Sequence, residues 1–221
     1  MLFPTIVADN FFSNPNEIVN FSKTLEYVKD KNGTWPGERS LPLHIINEDF
    51  FKFVSFKTLS IIYPNDWKNI NFNAIYHFQK INMNDYDKGW IHRDTSVITS
   101  IIYLSNHKNC GTSIYDRKEN MFKTDSINLK EKESFYKDIK DLKKRKTALN
   151  KAEENNNLFN ETIKVNSKFN RILTFDSNLF HGVNNFENSL EERLTLIGFF
   201  TSINNISDNL KYPLNENKFI Y

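Results

Sequence analysis

The segment Gly89-Trp90-Ile91-His92-Arg93-Asp94-Thr95 places an imidazole and a carboxylate two residues apart. On an extended chain, positions i and i+2 project to one face, so His92 and Asp94 can reach the same point in space. A further histidine, in Ser177-Asn178-Leu179-Phe180-His181-Gly182-Val183, would complete a set of two imidazoles and one carboxylate. Such a set covers one face of a metal ion and leaves adjacent positions open, as non-haem Fe(II) chemistry requires. A His-x-Asp tripeptide alone is common, and a surface histidine beside an aspartate is its ordinary explanation. Here the pair lies between two strand-like segments, and His181 stands near the end of another.

Arg193 follows His181 by twelve residues and opens the apolar run Arg193-Leu194-Thr195-Leu196-Ile197-Gly198-Phe199-Phe200. A guanidinium can take a carboxylate in a bidentate fork, which a lysine cannot reproduce. On a strand Arg193, Thr195 and Ile197 share a face, so Arg193 could point inward with the Thr195 hydroxyl beside it. The competing explanation is a surface ion pair with Glu191 or Glu192. His44 and His107 read as loop residues, His77 as a satisfied strand residue, and Cys110 as a small packing residue.

These groups need a scaffold, and the apolar periodicity supplies one. Leu2 to Val7 reads as a short strand. Asn14-Pro15-Asn16-Glu17 reads as a helix start with a capping box, followed by Ile18, Phe21, Leu25 and Val28 at helical spacing. Asn32 to Arg39 is turn-rich, and Phe50 to Ile62 suits a second helix. Asn71–Ile81, Val97–Leu104, Gly111–Tyr115, Arg171–Phe175, Leu179–Val183 and Arg193–Phe200 read as strands. The stretch 124–165 differs: it is dense in Lys, Glu and Asn, lacks Gly and Pro, and carries Phe135, Ile139, Leu142 and Leu149 at helical spacing. It is expected to form one long amphipathic helix inserted in a loop, its Lys143-Lys144-Arg145-Lys146 cluster on a solvated face. Its apolar stripe would pack on the barrel, act as a lid, or pair with a second chain to give a homodimer.

The chain has 221 residues, which suits one domain over 1–221 with an insertion. With 39% hydrophobic and 25% charged residues it fits a globular protein, and 20 Phe feed a strand-rich core. A net charge of +2 argues against nucleic acid as a partner. One cysteine cannot form an intramolecular disulfide, and no apolar run approaches a membrane span or a signal peptide, so a cytoplasmic protein without a membrane partner is expected.

In order and spacing these segments resemble the prolyl 4-hydroxylase-like branch of the 2-oxoglutarate/Fe(II) dioxygenases. Trp90 to Asp94 is similar to that family's first ligand pair. Ser100-Ile101-Ile102-Tyr103-Leu104-Ser105 resembles its strand ending in Tyr-Leu-Asn, and Cys110-Gly111-Thr112-Ser113 takes the place of its Gly-Gly pair. Asn170 to Phe175 with Phe180-His181-Gly182-Val183, and Arg193-Leu194-Thr195-Leu196, resemble the last strands. The resemblance covers about half the chain.

It implies a mainly β protein with flanking helices, a double-stranded β-helix (jelly roll, cupin-like). It implies His92, Asp94 and His181 as iron ligands, Arg193 as anchor of the distal 2-oxoglutarate carboxylate, and Tyr103 as a further co-substrate contact. Fe(II), 2-oxoglutarate and O2 follow as cofactor and co-substrates, with ascorbate as an optional addition. The implied reaction is hydroxylation of an unactivated C–H bond, with prolyl hydroxylation of a peptide or protein as the leading expectation. The presence of Asp94 favours hydroxylation over halogenation. Many collagen-type relatives carry Lys where this chain has Arg193, and Cys110 replaces a glycine. The turn Trp35-Pro36-Gly37-Glu38-Arg39 could flank the substrate. The alternatives are the same chemistry on a small metabolite or nucleobase, and a non-catalytic metal-binding jelly-roll module.

Overall fold

The computed structural model describes residues 3–82, 89–107, 109–118, 125–186 and 192–204. In chain order the elements are β1 (Ile6–Ala8), α1 (Pro15–Lys23), β2 (Tyr27–Lys29), β3 (Glu38–Ser40), α2 (Leu43–Ile46), α3 (Glu48–Ile62), β4 (Asn71–Asn82), β5 (Ile98–Tyr103), β6 (Thr112–Arg117), α4 (Asp125–Asp138), α5 (Arg145–Asn156), β7 (Phe159–Val165), β8 (Arg171–Asp176), β9 (Phe180–Val183) and β10 (Glu192–Asn204). The strands form two antiparallel sheets. The larger runs β1-β8-β5-β10-β4-β3-β2 and the smaller β7-β6-β9. This is the jelly roll expected from the sequence.

Alternation decides what lies on each side of the large sheet. Tyr76, Phe78, Ile98, Ile102, Leu196 and Phe200 face one way and join Leu43, Val54 and Leu59 of α2 and α3 in the main core. Ile101, Tyr103, Leu173 and Phe175 face the other way and meet Ile114 and Val165 of the small sheet. The register of β10 is locked where Gly198 opposes Tyr76, because a Cβ there would lie 2.1 Å from the Tyr76 ring. The same register sets Thr195 opposite both Gln79 and Tyr103, and Gln79 opposite Arg39. Those four residues therefore form one row across four strands, on the face turned toward the small sheet.

Several local expectations need correction. The first helix ends at Lys23, and Val28 lies in β2 instead. Asn14 caps it without a side-chain hydrogen bond, so no capping box forms. Part of the turn-rich stretch is strand β3, and His44 sits in α2 rather than a loop. The largest correction concerns 124–165. It is not one helix but α4 and α5 followed by β7, which pairs with β6 as an edge of the small sheet. Helical spacing carried across the α4–α5 turn misassigned Leu142, which is 90% exposed, while Phe135 and Ile139 are buried. Leu2 and position 124 lie outside the described residues.

Candidate metal and co-substrate site

His92 and His181 come from different parts of the chain and are joined by a two-way backbone bridge. His92 N donates to His181 O at 3.0 Å and His181 N to His92 O at 2.8 Å. Asp94 is anchored in the same way, its N–H donating to Ser177 O at 3.0 Å. The three side chains converge, with their potential ligand atoms within 4.8 Å of one another.

The hydrogen bonds fix the histidine tautomers. His92 Nδ1 lies 2.8 Å from Trp90 O and His181 Nδ1 lies 2.9 Å from Leu179 O. A carbonyl oxygen only accepts, so each Nδ1 carries a hydrogen and each Nε2 faces inward. His92 Nε2 stands 3.5 Å from Asp94 Oδ1, and His181 Nε2 stands 3.2 Å from Asp94 Oδ2. A neutral imidazole so oriented turns its Nε2 lone pair toward a carboxylate oxygen, an arrangement that a cation among them relieves. Burial first, and then the Lys132 charge, hold the His92 imidazolium down to a pKa of about 4, so a proton on His92 does not fill that role at neutral pH. Burial pushes the Asp94 carboxyl up, but the neighbouring His181 and His92 outweigh it and keep the group well below its usual range. Thr99 Oγ1 adds a 2.9 Å hydrogen bond to Asp94 Oδ2. The donor set fits a divalent metal: two imidazole Nε2 atoms and one carboxylate, oriented from behind.

The triad opens onto a cavity of about 390 Å³ between the sheets. Arg193 and Thr195 of β10 line it and are 3% and 1% exposed, which removes the surface ion-pair explanation for Arg193. Arg193 Nε makes a long 3.3 Å bond to Cys110 O, and its guanidinium lies 5.5 Å from the Tyr103 ring. Among the described residues no carboxylate pairs with it. Thr195 Oγ1 is buried with no hydrogen-bond partner among the described residues. A fork of donors and an orphaned hydroxyl at one end of a cavity suit an incoming carboxylate. Tyr103 lies behind this pair: its hydroxyl donates to Thr112 Oγ1 at 2.9 Å, and it is itself 1% exposed.

Sequence reasoning missed the contribution of α4 and α5. Asn128 and Asn155 both donate to Ile91 O, at 3.2 and 3.1 Å. Asn156 accepts from Ile91 N at 3.1 Å and donates to Gly89 O at 3.0 Å. The backbone just before His92 is thus held by three asparagines of the helical pair, and Trp90, fully buried, packs on Phe135. Arg39 and Lys132 also line the cavity. Two other histidines are tied to the backbone: His77 Nδ1 bonds Ser40 O at 2.9 Å, and His107 is buried with Nε2 3.3 Å from Glu192 O, while His44 is exposed.

Comparison with known structures places this architecture. HygX from Streptomyces hygroscopicus, solved with nickel, 2-oxoglutarate and hygromycin B bound, is similar at a TM-score of 0.54 and 10% identity, over 90% of this chain and 83% of that one. The non-heme alpha-ketoglutarate-dependent epimerase SnoN from nogalamycin biosynthesis matches at 0.50 and 8% identity, over 89% and 76%. A prolyl-4-hydroxylase from Pseudomonas putida overlaps over 89% and 91% at 12% identity, but its TM-score of 0.43 carries no argument about subtype. The chain has the fold of 2-oxoglutarate-dependent oxygenases. Within that fold it belongs to DUF6445, a family of unknown function, whose model matches residues 73–200 and so spans all three triad residues and Arg193. No curated protein matches.

Proposed function

We propose that this protein is an iron(II)- and 2-oxoglutarate-dependent dioxygenase that hydroxylates an unactivated C–H bond. The observation that carries this reading is the pair of inward Nε2 atoms set against both oxygens of Asp94, a geometry that a cation relieves. His92, Asp94 and His181 would hold the metal, and Arg193 with Thr195 would hold the distal carboxylate of 2-oxoglutarate. Tyr103 acts by positioning: its ring backs the Arg193 guanidinium. Iron(II) bound with 2-oxoglutarate and O2 supplies the oxidising power, while the chain orients the reactants and limits water access. The fixed histidine rings serve the first of these, since neither has to reorient when the metal enters.

Prolyl hydroxylation of a peptide rests on the sequence resemblance. A cavity of about 390 Å³ shared with a co-substrate gives more direct support to a small molecule or a single inserted side chain. None of the described helices is long and apolar enough to cross a membrane. The test is succinate formation from 2-oxoglutarate by iron-loaded protein, together with metal content in wild type and Asp94→Ala. Equal iron occupancy in both proteins would overturn the ligand assignment.

A further inference from the structure

On the wall facing the triad stand two cations that the proposed chemistry does not use. Arg39, on β3, lies with its guanidinium 4.7 Å from the Trp35 ring and 5.5 Å from the Phe199 ring. Its Nε is buried without an acceptor among the described residues. Lys132, on α4, is only 7% exposed, and among the described residues neither a hydrogen bond nor an ion pair engages it. Both side chains line the same cavity as His92, Asp94 and His181. Burial lowers the pKa of Arg39 to about 10 and lowers that of Lys132, with the Asp94 charge opposing the shift at each.

Their position is built deliberately into the backbone. Gly37 has a φ of +71°, and a Cβ there would lie 2.0 Å from Lys80 O, so only glycine lets the turn enter β3 beside β4. Gly33 has a φ of +78°, and a Cβ there would meet Glu133 O at 2.1 Å, so the same loop is seated against α4 next to Lys132. Two distant segments are thereby brought together to present an Arg and a Lys to one space.

The charge balance gives these residues a purpose. Arg39, Arg93, Lys132 and Arg193 line the cavity against Asp94 and Glu133, so the lining has more positive than negative charge. Arg93 is engaged elsewhere, stacked 4.0 Å from Phe180, and Arg193 serves the co-substrate end. A divalent metal and a doubly charged co-substrate cancel one another, so the surplus persists in the loaded site. Two desolvated cations that no hydrogen-bonded counter-group among the described residues neutralises are costly unless an anion joins them. Trp35, Ile75 and Phe199 add apolar surface beside them.

We infer that Arg39 and Lys132 form the recognition site for the substrate's anionic head group, a carboxylate or a phosphate monoester on a small molecule with an apolar body. This assignment rests on the proposed dioxygenase reading for its name as a substrate site, but the binding itself can be tested without turnover. Hexanoate, hexyl phosphate, hexanol and hexylamine share one chain and differ in head group. Each is titrated calorimetrically into metal-free protein and into protein loaded anaerobically with iron(II) and 2-oxoglutarate. At least one of the two anions is expected to bind, and the better of them names the head group; hexanol and hexylamine are expected to bind weakly. Arg39→Gln and Lys132→Met should each weaken the anion about ten- to a hundredfold, and Arg39→Lys and Lys132→Arg should retain most of the affinity. Thermal melts confirm that each variant is folded. Equal binding of all four probes, absence of anion binding, or neutral variants that bind the anion like wild type would overturn the inference. Failure of iron or 2-oxoglutarate to bind while the anion still does would instead overturn the dioxygenase reading alone.

Discussion

At the triad corner, each histidine is fixed twice, its backbone by the bridge to the other and its imidazole by a carbonyl behind it, while Asp94 is held through its N–H by Ser177 O and through its carboxylate by Thr99. At the cationic wall, Arg39 and Lys132 are fixed by packing and by glycine-dependent turns, with no hydrogen-bonded counter-group among the described residues. The first region is finished before any ligand arrives. The second carries unmet charge that a ligand must complete. Rigid preorganisation suits the part of the site that every turnover uses unchanged, whereas unmet polarity confers selectivity, because a molecule without the matching charge leaves those groups unpaired.

Substitutions in the two regions should therefore separate cleanly. The largest effect is expected for Asp94→Ala, which removes the one carboxylate of the proposed triad. Metal affinity should fall by more than the about 10–100-fold typical of losing an outer-shell partner, with succinate formation lost; metal analysis after dialysis reads this out. Next is Arg193→Ala. It should raise the Michaelis constant for 2-oxoglutarate by about ten- to a hundredfold while bound iron holds, because in the proposed arrangement the guanidinium would hold the co-substrate and not the metal. An unchanged constant would dissolve the distinction between the metal end and the carboxylate end of the cavity.

Asn155→Ala sharpens the comparison from behind. Asn155 is 1% exposed and bonds Ile91 O, Asn128 and Asn156. Its loss should cost about 1–3 kcal/mol of stability in denaturant unfolding. It should also weaken metal binding by about tenfold, since it positions the backbone that carries His92. Normal metal affinity in a destabilised variant would show that the helical pair only packs. The smallest effect belongs to a site remote from both regions. Asp9 pairs with Arg171 at 2.6 Å and Lys168 at 2.7 Å, and these partners lower its pKa to about 2. A depressed carboxylate contributes stability above its unfolded pKa, and that contribution is lost as pH falls through about 2. The pair is partly solvated, so Asp9→Asn should cost only about 0.2–1 kcal/mol near neutral pH. Its unfolding curve should converge with wild type in strong acid.

The same contrast explains what could be read from the sequence. His92 and Asp94 were legible because strand alternation alone puts i and i+2 on one side, and Thr195 followed from Arg193 by the same rule. Arg39 is harder to see: a three-residue strand after two turn glycines looks like loop, although the Trp35–Arg39 turn reads as a candidate flank of the substrate. Lys132 and Asn155 were not legible at all. Lys and Asn in a Lys/Glu/Asn-rich stretch look like a solvated face, and their burial depends on α4 and α5 folding back over Trp90, a tertiary event with no local signal. Leu142 departs in the opposite sense: at helical spacing an apolar residue reads as covered, yet it lies exposed in the turn.

The row formed by Arg39, Gln79, Thr195 and Tyr103 means that the pocket's composition is a readout of strand alignment. If β10 slid by a single residue, Leu194 and Leu196 would face the cavity in place of Arg193, Thr195 and Ile197, and the sheet could still be fully paired. Such a chain would resemble the native protein in circular dichroism and yet ignore 2-oxoglutarate. The contact of Gly198 with the Tyr76 ring therefore acts as a detent. A larger residue at position 198 would be expected to yield a population that is folded but blind to its co-substrate, so that the active fraction of a preparation counts correctly threaded molecules rather than folded ones.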